Sequence, residues 1–257
     1  MEILNIASSA LHRSQFTVMF NKVWLRFFDK KSSLSKEENL IWLSQHKIEM
    51  AVFCQKLDEK LWHQIQHDID NMRGYANSVL IKLPFDLGGG GAYPLAHFIV
   101  RLCKPDVVVE TGVAAGFSSY GILEALDKNN KGHLYSSDFP YFRLPNPIQF
   151  IGVVVPNHLR NRWSLYVDGD TANLKKINKL IPKIDVFHYD SDKSYMGRAK
   201  ALKSIQSKLN EMSWLIFDDI QDNSFFHDLV KKSNDCNWAV FEFEGKWVGL
   251  IFPDEFC

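Results

Sequence analysis

The feature that most constrains the fold is the segment KPDVVVETGVAAGFSS, residues 104–119. Three valines lead into Glu110, and a loop with Gly112 and Gly116 follows before two serines. A short β-branched run bounded by proline and glycine is typical of a buried parallel strand. Glycines in such a loop allow a tight turn and a close approach of the backbone to a ligand. The segment therefore predicts a strand, a loop and a helix around a nucleotide-like ligand.

The spacing of the loop bears on which ligand it would suit. The pattern is Glu-x-Gly-x-x-x-Gly, and Ala114 stands where a dinucleotide-binding loop has its middle glycine. A carboxylate directly before the loop disfavours a phosphate and favours a cationic ligand. The alternative is a tight strand-to-helix turn that holds no ligand.

Composition argues against several classes of protein. The 257 residues suffice for one domain, or for one domain with an appendage. The 30 basic and 30 acidic side chains cancel, which argues against a nucleic-acid partner bound through bulk charge. Four scattered cysteines without C-x-x-C spacing argue against a disulfide framework or a zinc site. No signal-peptide pattern and no apolar run of about 18 residues occurs, so we expect a cytoplasmic protein with no membrane partner.

Strand and helix patterns alternate along residues 88–257 and end in a hairpin at Glu244-Gly245. This order predicts an α/β fold with a doubly wound, mostly parallel seven-stranded sheet and a C-terminal antiparallel hairpin. The predicted strands end in acids, at Glu110, Asp138, Asp168, Asp190 and Asp218-Asp219. Because ligands bind outside the carboxyl ends of such strands, these acids predict a site for a cation, ribose hydroxyls or a metal.

Residues 1–87 form a predicted N-terminal helical extension whose role is left open between a lid, an oligomer contact and a packing appendage. Its aromatic residues make a homodimer contact one expectation; they are Trp24, Phe27, Phe28 and Trp42. The four glycines at 88–91 are either a flexible joint or a place where the backbone approaches a ligand. The long loop at 139–162 is a further candidate lid.

Four motifs in order carry a family resemblance: ETGVAAGFS from Glu110, the strand-end Asp138, YDSDK ending at Lys193, and FDD ending at Asp219. Together they resemble the class I S-adenosylmethionine-dependent methyltransferases over residues 92–252. The nearest types are the metal-dependent O-methyltransferases of the catechol and caffeoyl-CoA kind and the bacterial macrolide- and saccharide-tailoring enzymes. The resemblance implies a Rossmann-like fold and S-adenosylmethionine as cofactor.

The resemblance also implies the residues that bind the cofactor. Glu110 and the glycine loop would line its methionine part, Asp138 would bind the ribose hydroxyls, and 169–171 would border the adenine. For Asp138 the alternative is a cap or turn acid. The implied cofactor residues are Glu110, Gly112, Val113, Gly116, Ser118, Asp138, Gly169, Asp170, Thr171, Asp190 and Asp192.

A divalent metal, with Mg²⁺ the expected ion, is implied at Asp190, Asp218 and Asp219. Three converging carboxylates repel one another unless a cation lies between them, and oxygen ligands suit a hard divalent ion. Asp219 departs from the family, which has asparagine there. The alternative is that Asp219 caps the next helix and the site is metal-free.

Lys193 is the implied catalytic base, with Asp190 beside it, because the catechol-type enzymes place a lysine at this spacing. A lysine base requires a pKa well below about 10.4, which we expect a nearby metal and partial burial to produce. The alternative is a solvated lysine paired with Asp192. His188 is expected to be a packed residue and not a catalytic one.

The resemblance implies methylation of a hydroxyl on a small molecule such as a sugar, a polyketide or a catechol-like diol. The nearest alternative is a metal-independent methyltransferase with the same cofactor site. A non-catalytic binding protein of the same fold and a dinucleotide-dependent oxidoreductase are the rivals from other classes, and the loop spacing argues against the oxidoreductase.

Overall fold

The computed structural model of the protein describes residues 32–87, 89–140, 144, 146–233 and 236–256. The aromatic segment at 23–28, predicted to be helical, lies outside these residues. Among the described residues, no helix combines the length and the apolar character that crossing a bilayer requires.

Seven strands form one sheet in the order β3-β2-β1-β4-β5-β7-β6. The strands are β1 Val107–Thr111, β2 His133–Ser137, β3 Trp163–Tyr166, β4 Val186–Tyr189, β5 Trp214–Phe217, β6 Asn237–Phe243 and β7 Lys246–Phe252. The first five run parallel, whereas β7 pairs antiparallel with both β5 and β6. The predicted doubly wound sheet with its C-terminal hairpin is confirmed.

Helices cover both faces of the sheet. They are α1 Lys36–His46, α2 Met50–Leu80, α3 Tyr93–Cys103, α4 Phe117–Lys128, α5 Asp170–Leu180, α6 Tyr195–Ile205 and α7 Phe225–Lys232. Helices α2, α3 and α4 contribute to one apolar core, and α5, α6 and α7 contribute to the other. Each fully buried aliphatic or aromatic side chain in these cores contributes roughly 1.5–3 kcal/mol, so the two cores fix the strand ends that carry the site.

The N-terminal helices pack against the sheet domain. Helix α1 begins after Ser35, whose hydroxyl accepts a hydrogen bond from the Glu38 amide, and Glu38 accepts one from the Ser35 amide in return. Helix α2 buries Trp62 against Phe98 of α3, with ring centroids 5.8 Å apart. The buried residues of α2 therefore belong to the main core.

The strand order places two loops at a switch point. Strand β1 lies between β2 and β4, so the chain winds in opposite directions from β1 and leaves a crevice at the carboxyl ends. Thr111 is level with Tyr189, and Tyr189 is level with Phe217. The loop after β1 therefore lies beside Asp190, and Asp190 lies beside Asp218.

Candidate active site

The acids after β4 and β5 converge on a lysine. The Lys193 ammonium makes ion pairs with Asp190 and, at 2.5 Å, with Oδ2 of Asp219. These three residues, here called the outer bridge, are partly open to solvent: the side chains of Lys193, Asp190 and Asp219 are 27%, 20% and 11% exposed. The structure thus brings together both predicted catalytic residues and one of the two further acids predicted to bind metal.

The charge state of Lys193 differs from the expectation. Burial disfavours the ammonium, but the attraction of Asp190 and Asp219 outweighs it and raises the pKa of Lys193 above its ordinary value. The expected lowering of this pKa is therefore wrong in this arrangement, and Lys193 is a cation at neutral pH. Burial and repulsion from Asp218 raise the pKa of Asp190. Burial also raises the pKa of Asp219, but the attraction of Lys193 outweighs burial, so the pKa of Asp219 is lowered.

A second bridge lies deeper. His188 places Nδ1 3.4 Å from Oε1 of Glu110 and Nε2 3.2 Å from Oδ2 of Asp218. Glu110, His188 and Asp218, here called the inner bridge, have side chains at most 2% exposed. Burial alone would lower the pKa of His188, but Asp218 and Glu110 raise it to about 10, so the ring is an imidazolium. His188 is buried as predicted, and its bridging contacts were missed. Its level position beside Glu110 on the neighbouring strand is the signal that could have revealed them.

Glu110 is satisfied from inside the protein. Its carboxylate accepts hydrogen bonds from the hydroxyls of Ser118 at 2.6 Å, Ser119 at 2.5 Å and Ser136 at 2.8 Å. Glu110 and Ser118, both predicted to line the cofactor, are buried beneath the glycine loop. The three hydroxyls and His188 together provide this buried carboxyl group with polar partners in the interior.

Backbone geometry accounts for both glycines of the loop. Gly112 has φ +83°, and a Cβ there would lie 2.3 Å from the carbonyl oxygen of Asp190. Gly116 has φ +101°, and its Cβ would lie 2.7 Å from Cα of Gly152. Any other residue at either position is strained by the left-handed backbone and by the contact. The loop can therefore approach the end of β4 only with glycine at 112.

Asp138 anchors the glycine loop. Its Oδ2 accepts hydrogen bonds from the amides of Val113 at 3.1 Å and Ala114 at 2.8 Å, and its Oδ1 accepts one from Phe139. These contacts fit the alternative of a turn acid. The ribose contact implied for Asp138 stays a prediction.

The remaining predicted cofactor residues form the rim after β3 and β4. Asp170 accepts hydrogen bonds from the hydroxyls of Ser137 at 2.7 Å and Ser191, and it thereby joins the ends of β2 and β4. Gly169 precedes α5 with φ +86°, and Thr171 is exposed in the first turn of that helix. Asp192 accepts a hydrogen bond from the Ser194 amide before α6. Lys193 pairs with Asp190 and Asp219, so the alternative of a lysine paired with Asp192 is not what the structure shows.

Two further residues hold the acids in place. A Cβ on Gly91 would lie 2.0 Å from Oδ2 of Asp218 and 3.7 Å from Oδ2 of Asp190. Gly91 therefore approaches Asp218 closely, and the two alternatives for the glycine run, a flexible joint or an approach to a ligand, stay predictions. Arg198, buried in α6, donates to the carbonyl oxygens of Asp218 and Asp219, both at 2.9 Å. A single arginine in an amphipathic helix gives no sequence signal for this role.

The comparison that decides the class is with protein families: residues 109–220 match the family model described as a methyltransferase domain. This part of the chain is therefore similar to a methyltransferase domain. The match begins in β1 and ends just after the acids that follow β5, so it contains the glycine loop and both bridges. The resemblance to methyltransferases is confirmed.

Solved structures of methyltransferases share the fold. The O-methyltransferase TomG from Streptomyces achromogenes, in complex with S-adenosylmethionine, is 13% identical with a TM-score of 0.55 over 72% of this chain and 89% of that chain. An O-methyltransferase from Bacillus cereus in complex with S-adenosylhomocysteine is 12% identical with a TM-score of 0.53 over 72% and 90%. The methyltransferase PaMTH1 from Podospora anserina is 14% identical with a TM-score of 0.54 over 72% and 88%. A sequence comparison with curated proteins gives no match.

The acids of this methyltransferase domain do not fit a divalent ion as they are placed. Asp190 and Asp219 share the Lys193 ammonium, and Asp218 directs Oδ2 to His188. Among the described residues, no group of three His, Cys, Asp or Glu side chains has an arrangement that could hold a metal. The buried Oδ1 of Asp218 has no hydrogen-bond partner in the described part of the chain, and this favours a cation at that atom.

Proposed function

We propose that this methyltransferase domain transfers a methyl group from S-adenosylmethionine to a hydroxyl oxygen of a small molecule. The carrying observation is that the glycine loop, anchored by Asp138, lies directly against Asp190 at the switch point of the sheet. The glycine loop and a group of carboxylates therefore share one crevice, which supports the proposal. The solved structures of the same fold that contain S-adenosylmethionine or S-adenosylhomocysteine support this choice of cofactor.

The cofactor would lie along the loop and the rim. The exposed parts of the 112–116 loop, Asp138, Asp170 and Thr171 are the groups available to contact it. When bound, S-adenosylmethionine supplies an electrophilic methyl group on a sulfonium. Glu110 and Ser118 support the loop from beneath, and the negative charge of the site favours a cationic ligand.

The outer bridge supplies the groups that face the acceptor. The acceptor oxygen forms a bond to the methyl carbon as the carbon–sulfur bond breaks, and the hydroxyl proton must go to a base. Asp190 has the most exposed carboxylate of the three acids, and it is the group placed to accept that proton. Lys193 is a cation beside Asp190, and its ammonium would stabilise the negative charge that develops on the acceptor oxygen.

Positioning of the acceptor oxygen against the methyl group would supply the rest of the rate enhancement. In-line displacement requires the acceptor oxygen about 3 Å from the methyl carbon, in line with the departing sulfur. The segment at 146–162 is tied to the glycine loop, since the Gly152 amide donates to the carbonyl oxygen of Ala114 at 2.9 Å and the Val154 amide donates to that of Ala115 at 3.0 Å. This segment is therefore placed to exclude water from the crevice.

The acceptor class follows the resemblance: a hydroxylated small molecule such as a sugar, a polyketide or a catechol-like diol. A neutral overall charge gives no support for a nucleic-acid acceptor. The metal-assisted form of the reaction is the second candidate, and the unpartnered Oδ1 of Asp218 is the observation that favours it. Chelation in a turnover assay separates the two forms.

Calorimetric titration of S-adenosylmethionine and S-adenosylhomocysteine into the protein tests the proposal. We expect both to bind, and we expect Gly112→Ala to weaken binding by at least about tenfold because of the strained backbone and the contact with Asp190. Gly74→Ala is the control, since a Cβ on Gly74 meets nothing within 4 Å. If neither ligand binds to the wild-type protein, the methyl-transfer proposal is overturned.

A further inference from the structure

We propose that the ammonium of Lys193 is a built-in cation that takes the place of a divalent metal, so that methyl transfer by this protein requires no metal. The inference rests on the proposed function and specifies how its acids are neutralised. It follows from the contacts of the outer bridge, the distribution of charge, the space around the acids and the identity of residue 219.

The first step is the position of the ammonium. Lys193 lies between Asp190 and Asp219, where a metal held by these acids would have to lie. Its backbone is held in turn, because the side-chain amide of Asn223 donates to the Lys193 carbonyl oxygen at 2.7 Å. Contacts of both its side chain and its backbone therefore keep Lys193 beside Asp190 and Asp219.

The second step is the count of charges. Four carboxylates lie at these strand ends, and each pair has one cation between its members: His188 for Glu110 and Asp218, and Lys193 for Asp190 and Asp219. Carboxylates that already share a cation have lost most of the repulsion that makes a divalent ion necessary. The argument that predicted a metal from three unpaired acids therefore no longer applies.

The third step is the space and the oxygen atoms that remain. Mg²⁺ requires nearly octahedral coordination and usually keeps several waters. The backbone at Gly91 leaves little space beside Asp218, since a Cβ there would lie 2.0 Å from Oδ2 of Asp218. Arg198 uses the carbonyl oxygens of Asp218 and Asp219. A hydrated ion could reach the outer bridge only by displacing Lys193.

The fourth step explains the departure from the family pattern. Asparagine at position 219 would be neutral, so it could accept a hydrogen bond from an ammonium but could not form an ion pair with it. Asp219 supplies the second carboxylate of the outer bridge, and Lys193 lowers the pKa of that carboxyl. The added negative charge at 219 is thus matched by the cation that replaces the metal.

The test is a titration of Mn²⁺ into the full-length protein, followed by electron paramagnetic resonance of the free ion. We expect wild type and Lys193→Arg, which both keep a cation at the bridge, to bind no Mn²⁺ stoichiometrically. We expect Lys193→Met to gain one site and to bind Mn²⁺ about a hundredfold more strongly than wild type, because the acids then lack their cation. Lys246→Met is the matched control, since Lys246 acts on Asp219 only through its longer-range charge.

Stoichiometric binding of Mn²⁺ by the wild-type protein overturns the inference, and so does a folded Lys193→Met protein that gains no site. If Lys193→Met does not fold, the wild-type and Lys193→Arg titrations decide the matter alone. The calorimetric titration of S-adenosylmethionine, run on the same samples, reports separately on the proposed function. Cofactor binding together with Mn²⁺ binding in wild type leaves methyl transfer standing and removes only the built-in cation.

Discussion

The inner and outer bridges have the same chemistry and different burial. Each places one cation between two carboxylates at the carboxyl ends of the strands, yet side chains of the inner bridge are at most 2% exposed and those of the outer bridge 11–27%. A bridge closed to solvent cannot exchange its partners with a substrate, so the inner one maintains the structure beneath the glycine loop. The partly open bridge can contact an acceptor. Burial therefore distinguishes the bridge that supports the structure from the bridge that can contact a substrate, and the residue types alone do not.

The largest expected effect comes from removing the cation of the inner bridge. His188→Gln leaves Glu110 and Asp218 buried without a charge between them, and we expect a loss of about 3–5 kcal/mol in the free energy of unfolding. Urea denaturation followed by circular dichroism measures this loss. His63→Gln makes the same change at a histidine whose side chain is 61% exposed and should cost little. A loss below about 1 kcal/mol at His188 would mean that the inner bridge is not ionic.

The next effect concerns the backbone that lies over both bridges. Gly91→Ala places a Cβ 2.0 Å from Oδ2 of Asp218, which must move, and we expect a cost of about 1–3 kcal/mol together with loss of methyl transfer. Gly89→Ala is the matched control, since a Cβ there meets nothing within 4 Å. Thermal unfolding and turnover of the two variants give the comparison. Equal behaviour of the two would contradict the close approach at Gly91.

A smaller effect on stability is expected at the outer bridge. Lys193→Met removes a cation that is partly exposed, so solvent screens the remaining acids and the loss of unfolding free energy should be about 1 kcal/mol. Turnover should fall by at least about tenfold, because the developing oxyanion loses its cation. Parallel measurement of unfolding and of turnover checks both. A stability loss as large as that of His188→Gln would mean that the two bridges are equivalent.

The same contrast shows what could be predicted from the sequence. The sheet, its hairpin and the acid at each strand end follow from local patterns: β-branched runs, a glycine loop and a turn at Glu244-Gly245. The position of Asp190, Asp218 and Asp219 at one rim follows from the parallel topology. Local pattern and topology thus sufficed for the fold and for the location of the acids.

What could not be predicted are the partners of these charges. Lys193 pairs with Asp219 across the gap between two strands, and Arg198 reaches backbone oxygens 20 residues away in sequence. Such contacts depend on side-chain direction and burial, which no local pattern contains. The pKa of Lys193 was predicted to be lowered because the expectation placed a metal between the acids. In the structure the ammonium of Lys193 lies there, and the acids raise its pKa.

The smallest expected effect lies at the opposite end of the sheet, away from both bridges. Asp185 accepts hydrogen bonds from the amides of Asp106 and Val107, both at 2.9 Å, and pairs with Lys183 at 2.7 Å. Burial opposes ionisation, but these partners outweigh it and lower the pKa of Asp185.

A carboxyl with a lowered pKa stabilises the fold above its unfolded pKa of about 3.9, and this stability is lost as the pH falls through the folded value. Asp185→Asn should therefore cost about 0.5–1 kcal/mol at pH 7, and the difference from wild type should disappear in acid, while turnover stays unchanged. Urea denaturation between pH 7 and pH 3 checks the stability, and an assay of methyl transfer checks the activity. If the difference in unfolding free energy between Asp185→Asn and wild type stayed constant across this pH range, the charge of Asp185 would contribute nothing to stability. Only the geometry of its hydrogen bonds would then matter. A change in turnover would show that this end of the sheet is coupled to the bridges. Burial would then no longer distinguish residues that support the structure from residues that take part in the chemistry.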